Sequence, residues 1–78
     1  MWQVLNKAVG RKYILESNKF NTFDDARAYI RNKIDKYIDF CMNEIQCDSN
    51  VEDSGLSVFF SFLGITLVFD IIKTDNEL

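Results

Sequence analysis

Histidine and proline are absent from these 78 residues, cysteine occurs twice and glycine three times. Without histidine, acid–base catalysis near neutral pH would fall to carboxylates, lysine or tyrosine with displaced pKa values. Nothing in the sequence marks such a group. Asp70, the one carboxylate set inside an apolar strand pattern, is expected to point away from the core. A structural zinc site of four Cys and His ligands cannot be assembled in one chain from two cysteines alone. Small secreted domains carry more cysteine than this, so a reduced, cytoplasmic setting is expected. Cys41 and Cys47, six apart, would fall on different faces of a helix. The glycines at 10, 55 and 64 stand singly, without a phosphate-cradling pattern. The reading is therefore non-enzymatic, with no catalytic residue, no cofactor and no metal.

Long apolar runs are scarce too. The longest uncharged stretch, 54–69, has sixteen residues, short of the ~20 that a spanning helix needs. The first residues lack the basic start and apolar run of an export signal. No membrane partner is expected.

The residues present suit one packed core. An apolar fraction of 47% with seven Phe, three Tyr and one Trp supplies large buried area, and a chain this short supports a single domain, residues 1–78. The charge is uneven. Residues 1–34 carry seven basic and three acidic side chains, and residues 35–78 carry two and nine, within a net charge of −3. The chain is polarised along its length.

Periodicity predicts a helix from about Phe23 to Gln46, with Phe23, Ala26, Ile30, Ile34, Tyr37, Cys41 and Ile45 on one face, widened by Ile38 and Met42. Thr22 is placed to cap it, with Asp25 at the third helical position and Asp24 also favouring the positive end of the helix dipole. Residues 46–55 are polar and rich in turn formers and read as a loop. In the C-terminal segment, a turn at Leu63-Gly64 sets Phe62 against Ile65, Phe60 against Leu67, Val58 against Phe69 and Leu56 against Ile71. All eight of these positions are apolar, and no register shifted by one residue gives so uniform a face. A two-residue primed turn needs positive φ at both positions, which suits Gly64 and not Leu63. The N-terminal third reads as strands at about 3–9 and 12–17, turning near Gly10. The expected fold class is α+β: one long amphipathic helix packed on a roughly four-stranded antiparallel sheet, in the order ββαββ.

One helix covers one side of such a sheet. The other side would carry Ser57, Phe59, Ser61, Thr66, Val68, Asp70 and Ile72, with Leu63 at the turn, and these large apolar groups in polar surroundings point to an interface. A second candidate surface is acidic: Asp35, Asp39 and Glu44 on the helix, then Asp48, Glu52 and Asp53 in the loop. It would attract a protein with a basic surface. The expected function is a protein–protein interaction module, in concrete form a small acidic phage-type inhibitor that occludes a nucleic-acid-handling protein. Homo-oligomerisation through the outer sheet face is a further expectation. The alternative is a nucleic-acid-binding domain that uses Lys7, Arg11, Lys12 and Lys19 with Trp2, Tyr13 and Phe20.

Overall fold

The computed structural model describes residues 1–10 and 14–74. Its elements in chain order are β1 (Trp2–Ala8), β2 (Ile14–Phe20), α1 (Phe23–Phe40) with a π-helical extension (Cys41–Ile45), β3 (Ser49–Asp53), β4 (Ser57–Phe62) and β5 (Ile65–Lys73). The class is α+β, and the sheet has five antiparallel strands in the order β2-β1-β5-β4-β3. The fifth strand comes from the segment read as a loop. Ser49–Asp53 has little intrinsic strand preference, yet it pairs along β4 with Val51 opposite Phe60 and Glu52 opposite Phe59. Tertiary pairing overrides local composition there. The connectivity is thus ββαβββ, against the four-stranded ββαββ order expected.

The helix begins as its sequence dictates. Thr22, extended at φ −125° and ψ 157°, accepts a hydrogen bond at Oγ1 from the Asp25 amide at 3.0 Å, satisfying one of the orphan donors of the first turn. Ala26, Ile30 and Ile34 then repeat every four residues along the buried stripe. At Cys41 the turn widens, and the helix stops where Gln46 takes a left-handed conformation at φ 60°. Ile45 and Met42, expected on the buried stripe, are exposed instead. The wider π turn rotates residues after Cys41 out of the α-helical phase.

The β4–β5 hairpin adopts the expected register, with Phe62 opposite Ile65, Phe60 opposite Leu67 and Val58 opposite Phe69. Its turn is the tight one: Leu63 has φ 49° and Gly64 has φ 76°. Leu56 departs from expectation. Its carbonyl accepts from the Ile71 amide at 2.9 Å, but β4 begins one residue later, and the Leu56 side chain stays in solvent within the β3–β4 connection. At the N-terminus, β2 runs on to Phe20, through residues expected to lead into the helix. The expected strand start at residues 12–13 lies outside the described residues.

Val4, Val58, Phe60, Phe69 and Ile71 from the sheet meet Ala26, Ile30, Ile34 and Cys41 from the helix in one core. Aromatic rings close its flanks. Trp2 packs edge-on to Phe23 at 5.2 Å, Phe20 lies 5.2 Å from Tyr29, and Tyr37 lies 5.8 Å from Phe60. The first of these contacts joins the start of β1 to the start of α1. The end of the helix, by contrast, lies over Phe62 and Leu67, so the two ends of the molecule are chemically distinct.

Candidate protein-binding surface

The residues of both candidate protein-binding surfaces lie among those described. Among the described residues no helix lies over the outer face of the sheet, because β1 and β2 extend the sheet instead of crossing it. Across it runs the row Glu52, Phe59, Val68 and Lys7, each opposite the next on the neighbouring strand. Val68 is only 5% exposed, Phe59 is half-buried and Ile72 is 37% exposed. Neighbours on the same face therefore shield most of the apolar area that this surface was expected to offer. Ser57 donates to Asp70 Oδ1 across the β4–β5 pair, and Ser61 and Thr66 share a hydrogen bond at 3.1 Å. Polar side chains are satisfied along both sides of the row.

The acidic residues do not gather on one patch. Asp53 turns to the helix side, where Arg27 holds it by two hydrogen bonds, one of them Nη1 to Oδ1 at 3.1 Å. The same guanidinium donates to the Gly55 carbonyl at 2.7 Å, and the Gly55 amide donates to Asp53 Oδ1 at 2.9 Å. The bond from Arg27 and then that from Gly55 hold the Asp53 carboxyl below its ordinary value, and Asp53 in turn raises Arg27. Asp53 is thus engaged within the fold. Asp35 lines a groove of about 230 Å³ with Arg27, Arg31, Ile38 and Val51. That groove exists because α1 packs on β1, β2 and β5 and leaves the β3 side of the sheet thinly covered. Glu52 points to the opposite face, next to Phe59.

Asp39, Glu44 and Asp48 form a different set. They are exposed around the end of the helix and the entry to β3, the end of the molecule that also holds the β4–β5 turn. There the exposed apolar side chains concentrate: Phe40, Met42 and Ile45 on the helix, Leu63 and Ile65 at the turn, and Val9 beside Thr66. Phe40 is 52% exposed and Leu63 63%. Between them Tyr37, Phe40, Cys41, Phe62 and Leu67 line an apolar cleft of about 250 Å³. Sequence reasoning assigned Leu63 to the outer sheet face and missed its grouping with the helix end, although one signal was available. Leucine is a poor choice for a turn position that demands positive φ, so its presence there asks for an explanation other than the turn.

Trp2 and Phe20, counted above as possible stacking groups for bases, are engaged against the helix, and Lys73 lies over the Trp2 ring. Arg11, Lys12 and Tyr13 lie outside the described residues. Among the described residues no three His, Cys, Asp or Glu side chains cluster as metal ligands, and no helix is long and apolar enough to cross a membrane. The fold and surfaces define the class: an α+β fold with a sheet covered on one side by the helix and an apolar, acid-rimmed end. Comparison of the chain with protein-family models, curated proteins and solved structures finds no match.

Proposed function

We propose that this chain is a non-enzymatic protein-binding module that docks its partner through the apolar end of the molecule, with Asp39, Glu44 and Asp48 as an acidic border. The observation that carries this reading is Leu63. It sits in a left-handed conformation at φ 49°, which costs an L-residue roughly 1–2 kcal/mol, yet its side chain is largely in solvent and contributes little to the fold. Backbone strain of this kind clusters at functional sites, ligand clamps among them, and here it displays an apolar side chain to solvent. The surrounding Phe40, Met42, Ile45 and Ile65 supply the apolar centre, and the carboxylates supply a charged rim.

The rim selects the partner. A second copy docked end to end would bring two acidic rims together, which opposes self-association; a protein with a basic border is attracted. In its concrete form, the module covers a basic surface on a nucleic-acid-handling protein and blocks access to it. The outer sheet face, with Val68 buried and Phe59 half-covered, is the weaker candidate.

The test is affinity capture from native lysate with three variants. Leu63→Asp is expected to abolish capture and Asp39→Lys/Glu44→Lys to weaken it, while Phe59→Asp retains it. Capture that survives Leu63→Asp but is lost with Phe59→Asp would move the site to the outer face and overturn this reading.

A further inference from the structure

Six positions along an α-helix would separate Cys41 and Cys47 by about two-thirds of a turn, but the chain here does not remain α-helical. The Cys41 carbonyl accepts hydrogen bonds from both the Gln46 amide and, at 2.9 Å, the Cys47 amide. With Gln46 left-handed at φ 60°, the chain reverses over its own last turn. This is a wider relative of the capping motif in which the residue after the left-handed position folds back onto the final helical turn. Cys47 is thereby returned to the core, packed against the cluster that contains Cys41. Burial raises the Cys41 thiol above its ordinary pKa, and a hydrogen bond shared with the Cys47 sulfur raises it further. The 2.9 Å closure of the Cys47 amide onto the Cys41 carbonyl, with both side chains packed in the same core cluster, brings the two cysteines together. Both are free thiols, Cys41 buried and Cys47 half-exposed.

We infer that Cys41 and Cys47 form a redox-active dithiol that closes to an intramolecular disulfide across the helix-terminating turn. The exposure difference sets the order of events. The Cys47 thiolate attacks a low-molecular-weight disulfide such as oxidised glutathione, forming a mixed disulfide and releasing one glutathione thiolate. The Cys41 sulfur, losing its proton to solvent, then attacks the Cys47 sulfur and expels the second glutathione as a thiol. Two S–H bonds are exchanged for one S–S bond while the small disulfide is reduced to two thiols. The bond ties the end of the helix to the entry of β3, since Ser49 starts that strand two residues beyond Cys47. None of this depends on what the apolar end binds.

The full chain is equilibrated with a glutathione redox series and quenched with acid, and intact mass is read under non-reducing conditions. The expected product is a monomer lighter by two hydrogens, with both thiols lost to a thiol reagent in denaturant. Cys41→Ala, a substitution that keeps the buried position small and apolar, is expected to stop at a glutathione adduct on Cys47. Cys47→Ser is expected to leave Cys41 unreactive until the protein is unfolded. Amide exchange in β3 should slow on oxidation of the native chain and stay unchanged in either variant. A wild-type product that carries glutathione or forms disulfide-linked dimers, without the species lighter by two hydrogens, overturns the inference.

Discussion

Leu63 and Asp53 show how much a single position decides. At Leu63 the backbone needs positive φ, and asparagine tolerates that conformation far better than leucine does; Asn-Gly is the favoured pair for such a turn. Leu63→Asn is therefore expected to raise stability by about 1 kcal/mol, read as a higher urea midpoint with unchanged slope, while partner capture falls. A variant that is both less stable and fully competent in capture would mean that the leucine serves the turn. Asp53 gives a pH prediction. Its carboxyl is held below the ordinary value by Arg27 and Gly55, so the folded state binds its proton less readily than the unfolded state. The stabilisation is complete above the unfolded value of about 3.9 and disappears as pH falls through the lower folded value. Exposed pairs of this kind contribute at most ~1 kcal/mol. Asp53→Asn is expected to lower the unfolding midpoint slightly at pH 7 and to match the wild type near the acid end of the titration. The Asp53–Arg27 pairing was not legible in the sequence, because it joins residues 26 apart through a strand that local composition disguised.

At the scale of elements, the helix and the last hairpin were legible because each repeats one rule many times. Ile30 and Ile34 continue a stripe on a helix that Thr22 caps, and in the hairpin a slip of one residue would move Phe60 and Phe69 off the core face. What could not be read were the places where one element borrows its stability from another. β3 is a strand through its pairing with β4, and the π turn at Cys41 lies where the helix end borders Phe62 and Leu67. This difference has a measurable side. Phe60→Ala removes a ring with no exposed surface and is expected to cost about 3–5 kcal/mol. Phe59→Ala, one residue along on the half-covered face, is expected to cost well under half as much, so the ratio of the two denaturation shifts checks the register. Native-state amide exchange is expected to be slowest in β5, at the centre of the sheet, and fastest in β3 at its edge. Protection in β3 equal to that in β5 would mean that the edge strand is held by contacts other than its pairing with β4.

For the molecule as a whole, the two halves of the chain differ in charge, but the fold does not turn that difference into two opposed faces. Arg27 is drawn to Asp53, and Arg31 lines the same groove as Asp53 and Asp35, so part of the acidic half is neutralised by the basic half. Asp39, Glu44 and Asp48 remain as a negative border to the apolar end. The expected patch of six carboxylates was legible as composition and not as geometry. Two opposing terms then govern self-association: apolar area at that end favours it, and like charge opposes it. At neutral pH and low salt the charge term is at full strength, and the chain is expected to sediment as a monomer. As pH approaches the isoelectric value of about 4.7 the repulsion fades while the apolar area is unchanged, so the average mass should rise with protein concentration. Salt at neutral pH should act in the same direction through screening. Leu63→Asp is expected to remove both effects, because it places a charge in the middle of the contact. Association that persists in Leu63→Asp but disappears in Phe59→Asp would show that copies meet through the outer sheet face, and would require the acidic border to serve some purpose other than keeping them apart.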